Sequence, residues 1–367
     1  MDLEVLTEQL YNVVRKSERV SGRNLTLPVL NCLLLEAKNN HILIKATNLD
    51  LGIEGRINCK VKKEGRAAIP TATLGNFLGN IQDSKTIHIK QDGDNLIIET
   101  QKNSSVIKTI PNDDFPNIPK IKPEVSFKID PKNFINGLKS VFFSASSSSI
   151  KPELASVMVE HKNDILHFVA TDSFRLAEKR VSDKNIRDDF NPILLPFKNI
   201  PEIIRVLEEE TGPVKVLLDK NQISFEIGDI YLFSRIIDGT FPDYKQLLPK
   251  EFKTEVVVLK QDFTNTLKLS LIFSDKFNKT TFRIKPKNKI FEIETKNPDI
   301  GENKTKVDAS LTGDDIEINF NHRYITDCLA SIGSDSLSLN LNEIGKPMVI
   351  KGVNDNSFTY LVMPMNR

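Results

Sequence analysis

The residues best suited to catalysis do not occur at the spacings of a known catalytic or metal site. The histidines are dispersed, and none has a partner at metal-ligand spacing. They are His41, His88, His161, His167 and His322. The serine-rich run at 144–149 lacks the glycine-flanked elbow of a nucleophilic serine, which favours a polar loop. Neither a phosphate loop nor a dinucleotide fingerprint is present. A nucleotide-dependent enzyme, a cofactor and a metal site are therefore not indicated.

Two pairs of adjacent carboxylates could serve acid–base chemistry or bind a metal. Asp113-Asp114 precedes Phe-Pro and Asp188-Asp189 precedes Phe-Asn-Pro, contexts that usually mark solvated turns. An enzyme remains the alternative, with Asp113, Asp114 or Asp172 acting on a small substrate in a cleft between domains. A convergent carboxylate pair with strongly shifted pKa values would favour that enzyme, whereas an open apolar groove would favour peptide binding.

Three strings combine apolar and charged residues in a way that suits binding instead. Residues 169–177 read VATDSFRLA, residues 241–249 read FPDYKQLLP, and residues 360–367 read YLVMPMNR. The last string is apolar almost to its end, where most chains become polar. Surfaces rich in methionine and bounded by proline are typical of adaptable peptide grooves.

The elements that must position these strings recur along the chain. At an offset of 124, Thr47-Asn48 aligns with Thr171-Asp172, and at an offset of 249, Asn48 aligns with Asn297. Phe115-Pro116 aligns with the Phe-Pro pair at residues 241–242, at an offset of 126. Chance similarity between hairpins is the alternative, and the agreement of separate landmarks counts against it. Three tandem domains are predicted, at 1–121, 122–247 and 248–367.

Within each repeat the apolar periodicity predicts two helices and several antiparallel hairpins. Residues 130–143 begin with Asp130 as a cap and Pro131 at the first helical position, and residues 196–209 repeat the design. Alternating runs at 86–90, 95–99, 214–218 and 223–227 predict strands. The fold class is therefore α+β, with helices on one side of antiparallel sheets. Head-to-tail copies of such a unit can close into a ring and so hide their sheet edges.

Composition limits the partners and the compartment. Lys and Arg total 50 against 49 Asp and Glu, so nucleic acid cannot be bound through bulk positive charge. Cys32, Cys59 and Cys328 form neither a metal spacing nor an even disulfide set, which favours a reducing, cytoplasmic location. The acidic N-terminal stretch does not resemble a secretory signal, and no run approaches the ~18 apolar residues of a membrane span.

The three strings resemble those of the bacterial β sliding clamp family, the processivity subunit of DNA polymerase III. The family pattern is close to A-T-D-G-H-R-L-A, F-P-D-Y-R-x-x-L-P and a terminal V-M-P-M; this chain has ATDSFRLA, FPDYKQLLP and VMPMNR. The resemblance spans all 367 residues, including Leu27-Pro28-Val29-Leu30. It implies three tandem clamp domains and a head-to-tail homodimer, which forms a pseudo-sixfold ring around double-stranded DNA without reading its sequence.

In that family a cleft between the second and third domains binds linear peptides. The implied partners are the replicative polymerase catalytic subunit, an ATP-dependent clamp loader, and other DNA polymerases and repair proteins. The matching positions here are Leu154, Thr171, Ser173, Phe174, Arg175, Leu176, Pro242, Gln246, Leu247, Asn321, Tyr324, Pro347, Leu361, Val362, Met363, Pro364 and Met365. The resemblance implies that apolar members take the anchors, while Arg175 and Asn321 orient the peptide. Family Gly-His is Ser173-Phe174 here, and a family arginine is Lys245 or Gln246, so this cleft should be more apolar and less cationic at one wall.

A sliding clamp needs weak, sequence-independent phosphate contacts, because tight binding would stop sliding. Cationic residues on or near the predicted helices are the candidates, with ordinary solvated helix faces as the alternative reading. They are Arg15, Lys16, Arg19, Arg23, Lys132, Lys139, Lys198, Arg205, Lys268 and Arg323.

Ring closure would join domain 1 to domain 3 of the partner. Leu271, Ile272 and Phe273 form a candidate apolar patch there, with core packing as the alternative. A trimeric clamp like those of archaea and eukaryotes would require two repeats rather than three, so the offsets count against it.

Overall fold

The computed structural model describes residues 1–22, 27–82, 84–186 and 188–365. Each third of the chain contributes a similar series of strands. The first third has β1 (Asp2–Leu6), β2 (Cys32–Lys38), β3 (His41–Thr47), β4 (Leu51–Asn58), β5 (Lys60–Lys63), β6 (Gly65–Pro70), β7 (Thr86–Asp92), β8 (Asn95–Glu99) and β9 (Ser104–Lys108). The second has β10 (Val125–Ile129), β11 (Ser156–Lys162), β12 (Ile165–Thr171), β13 (Arg175–Ser182), β14 (Phe190–Pro196), β15 (Val214–Leu218), β16 (Gln222–Ile227) and β17 (Ile230–Arg235). The last has β18 (Thr254–Leu259), β19 (Lys279–Lys285), β20 (Ile290–Asn297), β21 (Gly301–Lys306), β22 (Ala309–Gly313), β23 (Ile316–Asn321), β24 (Ser336–Leu341), β25 (Met348–Gly352) and β26 (Phe358–Val362).

Two α-helices fall in each third of the described chain. They are α1 (Thr7–Ser17), α2 (Thr71–Gly79), α3 (Pro131–Val141), α4 (Ile200–Glu208), α5 (Lys260–Leu271) and α6 (His322–Cys328). Asp130 Oδ1 accepts a hydrogen bond from the Lys132 amide at 2.9 Å, so α3 has the predicted cap. Each third therefore runs strand, helix, four or five strands, helix, three strands, and the α+β prediction is confirmed.

A turn stabilised by an Asn or Asp side chain stands at the same place in each copy. Asn48 Oδ1 accepts from the Leu51 amide at 2.8 Å, and Asp172 Oδ1 accepts from the Arg175 amide at 3.0 Å. In the third copy Asn297 Oδ1 accepts from the amide two residues further on, at 3.0 Å. Such turns are local alternatives to the strand ladder and explain why the Thr-Asn and Thr-Asp landmarks recur.

The chain divides into two compact units, and the first comprises residues 1–132 and 198–236. It contains a five-stranded sheet, β5-β1-β7-β8-β9, and an eight-stranded sheet, β10-β15-β16-β17-β4-β3-β2-β6. In the larger sheet the last strand of the second copy pairs antiparallel with β4 of the first, and Phe233 lies opposite Gly52. A Cβ atom at Gly52 would lie 2.1 Å from the Phe233 ring, so this joint requires glycine.

The second unit comprises residues 133–197 and 237–367. Its sheets are β14-β11-β12-β13-β26-β25-β24-β18-β22 and β21-β20-β19-β23. Here the last strand of the third copy pairs antiparallel with β13, which is the counterpart of β4. One residue past each joint the backbone repeats the same bond: the Arg235 amide donates to Asp50 O, and the Met363 amide donates to Phe174 O, both at 2.8 Å. The sheets therefore cross the repeat boundaries. The alternation of apolar and polar residues along single strands could not predict this pairing.

The three cysteines are free thiols, and Cys32 and Cys328 are buried. Burial raises the pKa of the Cys32 thiol to about 11. Among the described residues no helix has the length and apolar character needed to cross a membrane. Within the same ranges no group of three or more His, Cys, Asp or Glu side chains could hold a metal ion.

Leu49 occupies a backbone conformation that glycine would adopt more easily, since its φ is +79°. Its side chain is 41% exposed, so it contributes less to packing than a core leucine does. We predict that Leu49→Gly raises the free energy of unfolding by about 1 kcal/mol, because left-handed backbone is costly for residues with a Cβ atom. The matched control is Leu259, which is 54% exposed but has a φ of −66°. Leu259→Gly should lower the stability by about 1 kcal/mol. Urea denaturation measures both changes, and destabilisation by Leu49→Gly would contradict the prediction.

Candidate peptide-binding groove

The turn between β12 and β13 is fixed by its own side chains. Thr171 Oγ1 donates to Arg175 O at 2.7 Å and accepts from the Ser173 amide at 3.2 Å. Asp172 Oδ1 accepts from the Phe174 amide at 2.9 Å. Ser173, where the family pattern has glycine, keeps the left-handed conformation with a φ of +79°. The turn is thus rigid, and its Phe174 side chain is exposed.

Arg175 connects this turn to α6. Its Nε atom donates to Asp172 Oδ2 at 3.0 Å, its Nη1 atom donates to Asp327 Oδ2 at 2.5 Å, and its guanidinium lies 4.5 Å from the centre of the Tyr324 ring. Burial by itself would lower the pKa of Arg175, but hydrogen bonds to Asp327 and Asp172 and nearby negative charge raise it. Arg175 therefore shapes the site through these carboxylates, in addition to lining it.

The C-terminal string lies directly beside the turn. In β26, Leu361 is paired with Leu176 and Val362 with Arg175. Beyond the strand, the Met365 amide donates to Asn319 O at 2.8 Å. The final two residues of the string, 366 and 367, lie outside the described residues.

The FPDYKQLLP string forms a short 3-10 helix, Tyr244–Leu247, that faces the same region. Its Tyr244 and the preceding Phe241 are buried in an apolar cluster that underlies the site, whereas Leu247 is exposed. The other buried members of the cluster are Met158, Val169, Leu176, Leu194, Val349 and Leu361.

These segments border an open groove of about 650 Å³. The predicted residues that line it are Thr171, Ser173, Arg175, Leu176, Gln246, Leu247, Pro347, Leu361 and Met363. Sequence reasoning missed the lining residues Leu248, Pro249, Lys253, Asn342, Glu343, Gly345 and Lys346. The first two belong to a string already singled out, but the loop at 342–346 carries no motif that could have indicated it.

The other residues predicted for the cleft lie outside this lining. They are Leu154, Phe174, Pro242, Asn321, Tyr324, Val362, Pro364 and Met365. Leu154 and Val362 are buried, and Phe174 and Pro242 are exposed. Asn321 caps α6, since its Oδ1 atom accepts from the Arg323 amide at 3.0 Å. Its side chain is thus engaged in the helix cap.

The cationic candidates fall into two groups, of which the first is bound to carboxylates or to backbone carbonyls. Arg15 lies 2.5 Å from Glu209, and Lys16 lies 2.7 Å from Glu210. Arg205 donates to the carbonyls of Arg15 and Lys16 at 3.4 and 3.3 Å. Lys198 lies 2.5 Å from Asp50. Lys16 and Arg205 therefore do not extend freely from their helices.

The second group of cations is exposed at the surface. Its members are Arg19, Lys132, Lys139, Lys268 and Arg323. Arg23 lies outside the described residues.

The candidate interface patch is exposed rather than packed into a core. Leu271 and Ile272 are 45% and 61% exposed, and Phe273 is half-buried. Core packing therefore does not account for Leu271 and Ile272. Leu269, Phe277 and Ile300 in the same third of the chain are exposed as well.

The carboxylates proposed for an enzyme are either exposed or already hydrogen-bonded. Asp113 and Asp114 are exposed before the buried Phe115, and Asp172 is bound to its own turn and to Arg175. A triplicated α+β chain with an open, largely apolar groove instead fits the DNA clamps that the sequence motifs resemble.

Comparison with known proteins agrees with this class. Models of the N-terminal, central and C-terminal domains of the DNA polymerase III beta subunit match residues 1–119, 128–243 and 245–366. The chain is 28% identical over 371 positions to the beta sliding clamp of Synechocystis, covering 95% of each chain, and 27% identical over 366 positions to that of Proteus mirabilis, covering 98% of each. A crystal structure of the DNA polymerase III beta subunit of Thermotoga maritima superposes with a TM-score of 0.93 at 26% identity, covering 100% of this chain and 99% of that one.

The chain therefore belongs to the DNA polymerase III beta subunit family, the bacterial beta sliding clamps. It is the processivity clamp of DNA polymerase III and is not itself an enzyme.

Proposed function

We propose that two copies of this chain close head to tail into a ring around double-stranded DNA, and that the groove binds linear peptides of replication proteins. The peptides would come from the replicative polymerase catalytic subunit, an ATP-dependent clamp loader, and other DNA polymerases and repair proteins. We propose domain bounds at 1–121, 122–247 and 248–367. The ranges of the family models support them, as do the strands that open the second and third copies at Val125 and Thr254.

The observation that carries the ring is that the strand pairing repeated within the chain leaves β9 and β21 at sheet edges. Within the chain, the last strand of one copy pairs with the fourth strand of the copy before it. This happens twice, between β17 and β4 and between β26 and β13. The last strand of the first copy, β9, lies at an edge of the five-stranded sheet. The fourth strand of the third copy, β21, lies at an edge of the four-stranded sheet. Pairing β9 of one protomer with β21 of another would repeat the joint and produce sheets of nine strands. Two such heterologous joints close a dimer.

An apolar surface accompanies the proposed joint. Ile272 and Leu271 belong to the same third of the chain as β21, and Val106 on β9 is exposed. Removing such side chains from water stabilises an interface by roughly 25 cal/mol per Å² of apolar area. Such burial, together with the backbone hydrogen bonds of the proposed joint, would stabilise a homodimer.

The helix charges suit a clamp that slides. Exposed ion pairs such as Arg15–Glu209 contribute only about 0–1 kcal/mol, so phosphate can compete for these cations without being bound tightly. With a net charge of +1, the chain has little bulk attraction for DNA. Retention would then come from encirclement rather than affinity.

The groove offers apolar contacts beneath a polar rim. Leu176, Leu361 and Met363 would accept the apolar anchors of a peptide, while Gln246 and Lys346 supply polar groups at its border. We place the protein in the bacterial cytoplasm, where its three free cysteines would remain reduced. A loader is expected because a closed ring must be opened by work, and this sequence has no nucleotide motif of its own.

Leu247→Asp tests the groove, because Leu247 is 53% exposed and lines it. The charge should weaken peptide binding by about 2 kcal/mol, or roughly 30-fold, and shorten the products of loader-dependent primer extension on primed circular DNA. Leu259→Asp, at an equally exposed leucine outside the groove lining, is the control. Equal product lengths for the two variants would exclude the groove as the polymerase site.

Ile272→Asp tests the dimer interface. An unpaired carboxylate buried there should weaken dimerisation by at least about 3 kcal/mol, so that the dissociation constant rises more than 100-fold. Sedimentation velocity measures the change, with Ile150→Asp, at an isoleucine that is 89% exposed, as the control. If Ile272→Asp sediments as the wild type does at every concentration, the interface lies elsewhere.

A further inference from the structure

One wall of the groove is attached to the sheet below it by a buried hydroxyl. Tyr244 opens the short helix that continues into the lining residues Gln246, Leu247 and Leu248, and it is 4% exposed. Its Oη atom donates to Glu178 Oε1 at 2.9 Å. Tyr244 itself does not line the groove.

Glu178 is a buried carboxylate beside the groove floor. It follows Leu176 by two residues on β13, so the two side chains share one face of the sheet. His167 Nδ1 lies 3.3 Å from the same Oε1 atom. Burial alone would raise the pKa of Glu178, but the hydrogen bonds from His167 and Tyr244 and the charge of Arg180 outweigh it and lower the pKa. The acceptor of the Tyr244 hydroxyl is therefore an ionised group.

The other polar contacts of this wall constrain its position less. Gln246 Nε2 donates to Asp243 Oδ2 at 2.7 Å, which is a bond within the same segment. Lys245 lies 3.7 Å from Glu160, but its side chain is largely exposed, so that pair contributes little. Tyr244 and Leu248 also pack on the apolar cluster, and such packing has no preferred direction. A charge-assisted hydrogen bond does have one.

We propose that Tyr244 and Glu178 are positioning residues for the peptide groove. The hydrogen bond between them fixes the wall that carries Leu247 and Leu248 over the floor formed by Leu176 and Leu361. Neither residue touches the peptide. The inference rests on the proposed peptide-binding function of the groove and assigns the preformed shape of that groove to one buried interaction.

Tyr244→Phe removes the hydroxyl and retains the ring. With a fluorescent peptide from the clamp-binding segment of the polymerase catalytic subunit, the variant should bind about tenfold more weakly than wild type. Hydrogen exchange of the backbone amides at 245–248, measured without peptide, should become faster.

The matched control is Tyr231→Phe. Tyr231 is 8% exposed, and its hydroxyl donates to Pro119 O at 3.1 Å in the other unit. This variant should show a similar loss of stability but unchanged peptide affinity and unchanged exchange at 245–248.

Glu178→Gln weakens the same hydrogen bond from the other side, because it keeps an acceptor oxygen but removes the negative charge. This variant remains informative if Tyr244→Phe folds poorly. Each single substitution should weaken peptide binding. The double variant should bind the peptide as tightly as the single variant of lower affinity, because both substitutions act through one hydrogen bond. Peptide affinities and exchange rates equal to those of wild type in both variants would overturn the positioning role. Failure of the wild-type protein to bind the peptide would instead overturn the peptide function, and this inference with it, whatever the exchange rates show.

Discussion

Backbone hydrogen bonding between the last strand of one copy and the fourth strand of the copy before it organises the whole chain. A single copy of the repeated unit ends in a strand that its own sheets do not fully use, so each copy completes the one before it. This occurs at β17 with β4 and again at β26 with β13. The same pattern leaves β9, the last strand of the first copy, and β21, the fourth strand of the third copy, at sheet edges. The proposed dimer follows from extending one rule of pairing rather than from a separate interface design.

The groove is a consequence of the second joint. Pairing of β26 with β13 brings the C-terminal segment against the turn that carries Ser173, and the Met363 amide bonds to Phe174 O. Three strings far apart in sequence thereby border one cavity. The first joint has the same backbone bond, from Arg235 to Asp50, but Ile236-Ile237-Asp238 follows Arg235, whereas Pro364-Met365 follows Met363. The pairing is common to both joints, whereas the residues that follow it give the second one its apolar surface.

Local patterns in the sequence predicted much of this arrangement. The Asp130 cap, the buried face of α4 and the recurring Thr-Asn and Thr-Asp turns depend on interactions a few residues apart, so they can be recognised from spacing. The pairing of β17 with β4 could not be recognised, because every exposed or half-buried strand alternates in the same way. The groove residues within motifs were predicted, but the loop at 342–346 and Lys253 were not, since only the tertiary fold brings them to the groove. The ion pair of Lys16 with Glu210 and the hydrogen bond from Arg205 to the Lys16 carbonyl likewise depend on contacts between different copies.

Encirclement is the central claim, and retention on circular DNA tests it most directly. The clamp would be loaded onto nicked circular DNA with its loader and ATP, separated from free protein by gel filtration, and measured again after the circle is cut once. A topologically linked dimer remains on the circle and leaves the linear molecule through its ends. Equal retention on circular and linear DNA would show that affinity, not encirclement, holds the protein, and would contradict the ring.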